Sequence, residues 1–268
     1  MSKLLKLNLF MALKSRSTYI ILVVALIFAA FFSVMMYYSP TGTISSVEDI
    51  SVTKFRSDEV ATSDNTFFEY CENILCSDFI ILFVSVFACL TALREYSDDF
   101  IKSIWNDIPK KQYSFFAKVL LVLFYALVLL LLCFLIILLL NVSIFKAKLG
   151  DPVPFLKVFA IQILMELVMG ALVISVSKLM KKPIVAVIVT IVYIAVAYQI
   201  LASFINLIAD KAFHAGSFDC KGYTVYGNIM KISAGSACGD ITRALIVTLI
   251  FAVLAVVLGI REYRRDFE

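Results

Sequence analysis

An all-α membrane protein is the fold class this sequence predicts, and three observations predict it. Of 268 residues, 62% are hydrophobic and only 16% are charged, with a mean hydropathy of +0.97, far outside the composition of a soluble domain. Six segments are apolar over about 20 residues, the helical length that crosses a hydrocarbon core at 1.5 Å per residue. None alternates with period two, so helices rather than a barrel satisfy the backbone in lipid.

The first element is KLLKLNLFMALK, which places Leu5, Leu9, Ala12 and Leu13 on one face of an interfacial helix. The first span follows at Tyr19 to Tyr37. Lys3, Lys6, Lys14 and Arg16 precede it as they would a signal peptide, but the run is too long and FFSVMMYYSP offers no small-residue cleavage site. The remaining spans are Ile74 to Leu93, Phe115 to Leu140, Val158 to Ser177, Ile184 to Ile205 and Ile241 to Ile260. Together they make one transmembrane domain over residues 1–268.

Orientation follows from the basic residues. Most of the 24 Lys and Arg lie in the N-terminal segment, the Arg94 to Lys118 segment, the KLMKKP turn and the C-terminal tail. The positive-inside rule therefore expects both termini in the cytoplasm, and the net charge of +4 reports topology, with no call for nucleic acid. Tyr37, Tyr38, Tyr113 and Tyr263 fall near span ends as an aromatic belt would. Two long external loops are expected, about Tyr38 to Asn73 and Asn206 to Asp240, the second with a short helix over FINLIADKAF.

Several chemistries are disfavoured. No G-x-x-x-x-G-K-[ST] cradles a nucleotide, and no H-E-x-x-H or paired span glutamates suggest a metalloprotease. The single histidine, His214, cannot build a metal site or a Ser/His/Asp triad in the ordinary way. A membrane enzyme is thus disfavoured and no metal site is expected. Repeated halves and Gly- or Pro-broken spans are missing, which weakens an ion-coupled secondary transporter. Cys89 and Cys133 are small apolar fillers within spans, while Cys71, Cys76, Cys220 and Cys238 lie outside, where disulfides and free thiols are equally open.

Within the spans, Glu166 costs at least about 2.5 to 3.5 kcal/mol to insert, so it must face protein or water. It reads either as a substrate or proton contact or as an interhelical hydrogen-bonding residue, with Gln162 one turn earlier as its partner.

The segment REYSDDFIKSIWNDIPKKQYSFFAK carries most of the functional information. As a helix from Glu95, it sets Phe100 with Ile104, and Ile101 with Trp105, along one apolar stripe. Glu95, Asp98, Asp99 and Lys102 cover much of the remainder, and Pro109 interrupts the backbone before the third span. The order of glutamate after the second span, the DDFIKSI helix, the PKKQY turn, FFAK entering the third span and a YRRDF tail resembles permease subunits of the type-two ABC transporter family. The resemblance covers nearly the whole chain. It departs from the commoner pattern in placing Asp98-Asp99 where a small residue often stands.

The resemblance implies that residues 94–114 hold a cytoplasmic coupling helix. Phe100, Ile101, Ile104 and Trp105 would anchor it, while Glu95, Asp98, Asp99 and Lys102 meet a separate ABC ATPase. ATP and Mg would be bound by that ATPase, present in two copies, and not by this chain. A second permease subunit, identical or homologous, would complete the pathway, to which Gln199, Tyr193 and Tyr198 of the fifth span would contribute beside Glu166 and Gln162. The expected activity is ATP-driven export of an amphiphile, such as an antimicrobial peptide or drug-like compound, across a bacterial cytoplasmic membrane. The alternatives are the secondary transporter and a membrane binding or immunity protein that does not transport.

Overall fold

The computed structural model describes residues 2–38, 66–97, 112–180, 182–213 and 219–265. Among these residues there is no strand. In chain order the helices are α1 (Ser2–Lys14), α2 (Arg16–Tyr38), α3 (Phe67–Leu75), α4 (Asp78–Ser97), α5 (Gln112–Leu140), α6 (Pro152–Met180), α7 (Pro183–Val192), α8 (Tyr198–Phe213), α9 (Val225–Lys231) and α10 (Cys238–Arg265). A π-helical turn over Asn141–Phe145 extends α5, and another over Tyr193–Ala197 joins α7 to α8.

Five helices are long and apolar enough to cross a membrane, or six if the bent pair α3–α4 is one span. Each of the six expected spans has a helical counterpart, with three revisions to the expected helices. Ile74 does not begin the second span: it lies in α3, which meets α4 at 46° across Cys76 and Ser77. The break has a local cause, because the Ser77 hydroxyl turns back onto the Ile74 carbonyl and the Cys76 and Ser77 amides bond back to Glu72 and Ile74. FINLIADKAF is no separate loop helix, since it continues the fifth span to Phe213. On α1, Ala12 is buried and Leu9 packs against the core, but Leu13 is exposed, so the predicted face is narrower than the sequence suggested.

The element boundaries are written in local chemistry. The Asn141 side chain brackets Ala147, accepting its amide at 2.9 Å and donating to its carbonyl at 3.3 Å. Lys146 takes the left-handed conformation there, at φ 50°, and its amide closes the turn on the Asn141 carbonyl. The Asp151 carboxylate then accepts the Val153 amide as a cap on α6, whose first residue is Pro152. Pro183 starts α7 in the same way after extended Lys182.

Helix α6 is the hub on which α10, α4 and α5 all pack. Lipid removes no water from an apolar helix face, so close backbone approach must hold the bundle together, and small residues sit at its seams. Gly170 leaves room for Val122, whose Cγ1 would lie 2.7 Å from an added Cβ. Ser175 reaches Ala255 on α10, donating between that carbonyl at 3.0 Å and its own turn at Ala171. Away from the hub, α2, α7, α8 and α10 turn long rows of Val, Ile, Leu and Phe outward, as lipid-facing helices do.

Candidate functional site

Polar residues concentrate at the end of the bundle where α3 and α9 cap it, and the α3–α4 break opens the place for them. Asp78 stands at the head of α4, and the Tyr226 hydroxyl of α9 donates to it at 2.7 Å and lies 3.2 Å from the Ile194 carbonyl in the second π turn. Burial, and then the neighbouring Asp78 carboxylate, hold the Tyr226 phenol far above its ordinary range, so it remains a donor at physiological pH. The Tyr198 hydroxyl meets Thr224 at 2.6 Å, and its ring sits edge-on to Tyr226 with centroids 4.3 Å apart. Replacing Tyr226 by Phe removes this hydrogen bond and leaves Asp78 only the charge of Lys221. The expected loss is about 1.5 to 3 kcal/mol of unfolding free energy, as for a hydrogen bond to a charged group. Thermal melts of the purified variant beside wild type measure it.

Gln162 of α6 holds the same cap from below. Its amide donates to the Ile229 carbonyl at 2.7 Å and reaches the Ile232 carbonyl and the Cys76 sulfur at 3.4 Å each. The Cys76 thiol in turn donates to Ile232 at 3.1 Å. Asn228 fixes α9 internally through Gly222 and Thr224, Glu72 accepts the Ala234 amide at 2.8 Å, and Lys231 pairs with Asp219. Gln199 lies 3.7 Å from the Met230 sulfur, and Tyr193 stacks edgewise on Tyr198. Four of the five pathway candidates, Gln162, Gln199, Tyr193 and Tyr198, thus gather around α9, where Gln162, Gln199 and Tyr198 are engaged in holding it.

Glu166 stands apart, contrary to the expected bond with Gln162. The Gln162 amide is spent on α9, and both Glu166 carboxylate oxygens are buried without a hydrogen-bond partner, the residue being 2% exposed. A carboxyl group so placed on the hub helix is costly, because nothing among the described residues offsets its loss of water.

At the opposite end, two buried lysines clasp one aromatic ring. Lys118 at the start of α5 donates to the Ala92 carbonyl of α4 at 3.1 Å, and its amine lies 5.2 Å from the Tyr263 ring centre. Lys178, near the end of α6, lies 4.1 Å from the same centre. Tyr263 is fully buried and so is no member of an aromatic belt. Its position near a span end gave no hint of this, because the pairing joins residues far apart in sequence.

Of the residues expected to couple to an ATPase, Asp98, Asp99, Phe100, Ile101, Lys102, Ile104 and Trp105 lie outside the described residues, and Glu95 falls in the last turns of α4. The clasp joins the two spans that flank them. Cys71, Cys76, Cys220 and Cys238 are free thiols here, as are Cys89 and Cys133. Among the described residues no group of three or more His, Cys, Asp or Glu is placed to hold a metal. Sequence reasoning missed Asp78, Tyr226, Asn228 and the clasp; an aspartate just beyond a polar break, at the head of an apolar run, was the one signal available.

The family described as ABC-2 family transporter protein matches residues 10–197, from the end of α1 through the second π turn. This chain belongs to the ABC-2 transporter family. The match spans the first four membrane-crossing elements, the first half of the fifth and the whole charged segment between α4 and α5, so the resemblance is upheld for most of the chain. No curated protein matches the chain. As an ABC-2 protein it is a multi-pass transport permease, the membrane component that works with an ATPase subunit.

Proposed function

We propose that this permease is half of the membrane unit of an ATP-driven exporter, with the residues between α4 and α5 as the element an ATPase pushes. Family membership carries the reading, and the position of the clasp supports it. Lys118 ties the first turns of α5 to the last turns of α4, so a force applied to the connecting segment moves two spans together, and Tyr263 and Lys178 pass it to α10 and α6. Two copies of the permease enclose the pathway, two ATPases serve them, and the basic end faces the cytoplasm of a bacterial cell. The exported substrate is an amphiphile, a peptide or drug-like compound that a largely apolar bundle with a polar cap can accept.

Charge reversal at Asp98, Asp99 and Lys102 together tests the reading in cells that also express the neighbouring ATPase gene. The expected outcome is loss of ATPase copurification and of ATP-dependent flux into liposomes, while the variant still reaches the membrane. Undiminished copurification removes these contacts from the coupling surface. Flux that follows an ion gradient without ATP replaces the exporter by a secondary transporter.

A further inference from the structure

The polar cap contains a hydroxyl with more acceptors in reach than it has protons to give. Tyr226 lies 2.7 Å from Oδ1 of Asp78 at the head of α4 and 3.2 Å from the Ile194 carbonyl in the second π turn. A phenol donates once, and an ionised carboxylate and a carbonyl both only accept. The proton goes to the shorter bond, since an ionised acceptor makes the stronger one. The Ile194 carbonyl is then left beside a donor already committed to α4.

The ring is held, so it cannot settle the contest by moving. Tyr226 is buried, and its ring meets edge-on that of Tyr198, whose hydroxyl is itself tied to Thr224 at 2.6 Å. Only the hydroxyl proton can turn. Protonation of Asp78 turns it, because a neutral carboxyl group brings a donor of its own. Half-buried Asp78 takes that proton from solvent. Its O–H then donates to the Tyr226 oxygen while the Tyr226 O–H turns to Ile194, so two hydrogen bonds run in series where the ionised pair has one.

The surroundings single out Asp78 as the group that responds. Lys221, in the 3₁₀ turn at Cys220–Tyr223, is the cation whose charge acts on it, and Tyr193 and Tyr198 are the remaining titratable neighbours of the pair. On acidification only the carboxylate gains a proton, since a lysine and two phenols already carry theirs. Among the described residues α2, α3, α5, α6 and α7 add no charge that acts on Asp78. A π turn is an uncommon widening of a helix that tends to stand at functional sites, and here it is the far end of this proton's reach.

We propose that Asp78 and Tyr226 form a proton-operated latch. With Asp78 ionised the hydroxyl ties α9 to α4 alone; with Asp78 protonated it also ties α9 to the π turn of the fifth span, joining two spans through the cap. In the orientation proposed above this end faces outside the cell, so external acid closes the latch. The device does not rest on export and acts whatever the substrate.

Hydrogen–deuterium exchange on the full chain in nanodiscs tests this, read on peptides spanning Tyr193–Ala197 from about pH 4 to about pH 8 and corrected for the intrinsic exchange rate. Protection should rise towards acid by about fivefold, the yield of one ordinary hydrogen bond. Asp78→Asn, whose amide donates to the Tyr226 oxygen without titrating, should hold the acid level of protection at every pH. Tyr226→Phe should show the lower level throughout. Equal protection of the wild type at all pH values, or a pH response that survives in either variant, overturns the proposal, and Asp78→Asn decides alone if Tyr226→Phe does not fold. Peptides from α5 are the control: a rise of the same size there means that acid steadies the whole bundle, and the latch falls.

Discussion

Gly227→Ala is expected to lower unfolding free energy by at least about 3 kcal/mol, the upper range for forcing a group into a packed site. The reason lies in what surrounds this glycine. Its amide donates to the Thr224 hydroxyl at 3.1 Å, which draws α9 tightly over the 3₁₀ turn at Cys220–Tyr223. An added Cβ would meet the Lys221 carbonyl, whose carbon lies 2.8 Å away, and would also run into the Tyr198 hydroxyl. Backbone cannot yield as a flexible side chain can, and moving Tyr198 breaks its bond to Thr224. Gly235→Ala is the control, because nothing stands within 4 Å of its added carbon. Melting curves in detergent compare the two. Maleimide labelling of Cys76, held by Ile232 beneath the cap, should accelerate in the alanine variant at 227 alone. Matching melts and matching labelling for the two variants would show that α9 is not clamped where the structure places it.

Glu166→Leu is expected to move stability the other way, up by about 1 to 3 kcal/mol. A buried polar group without a hydrogen bond costs about that much, and an apolar residue of similar size removes the cost. Glu166→Gln should change little, since an amide in the same place finds the same lack of partners. Transport should fall in the leucine variant despite its stability, because polar groups that destabilise a membrane interior mark the positions where a pathway or a proton needs them. Unfolding of the three proteins in detergent, beside flux in liposomes, gives both answers. A leucine variant less stable than wild type means that the carboxyl has a structural partner; one that is more stable and still fully active means that it serves nothing in transport.

These two sites illustrate what could and could not be seen in the sequence. Glu166 was visible because a single charge in an apolar run has one-dimensional contrast. Its isolation was not, because Gln162 lies on the same helical face four residues away and only the arrival of α9 from more than sixty residues later claims that amide. The spans were legible from hydropathy, yet the α3–α4 break was not: NILCSDFII keeps a high average across three polar residues, and the bend arises from hydrogen bonds that an average does not register. The charged segment between α4 and α5, read together with the spans around it, pointed to the family whose match covers residues 10–197. Lys118 and Lys178 were read as boundary charges, which basic residues near span ends usually are; both are buried and meet the ring of Tyr263, 145 and 85 positions later.

That separation has a consequence for how the protein is made. Lys118 and Lys178 emerge from the ribosome well before Tyr263, and until α10 arrives neither ammonium has the aromatic face it rests on in the finished fold. A half-synthesised permease therefore lacks the aromatic face that both ammonium groups meet in the finished fold. Insertion of α10 supplies it to both at once. The ring of Tyr263 thus joins α5 to α6 only once the helix that carries it is in place.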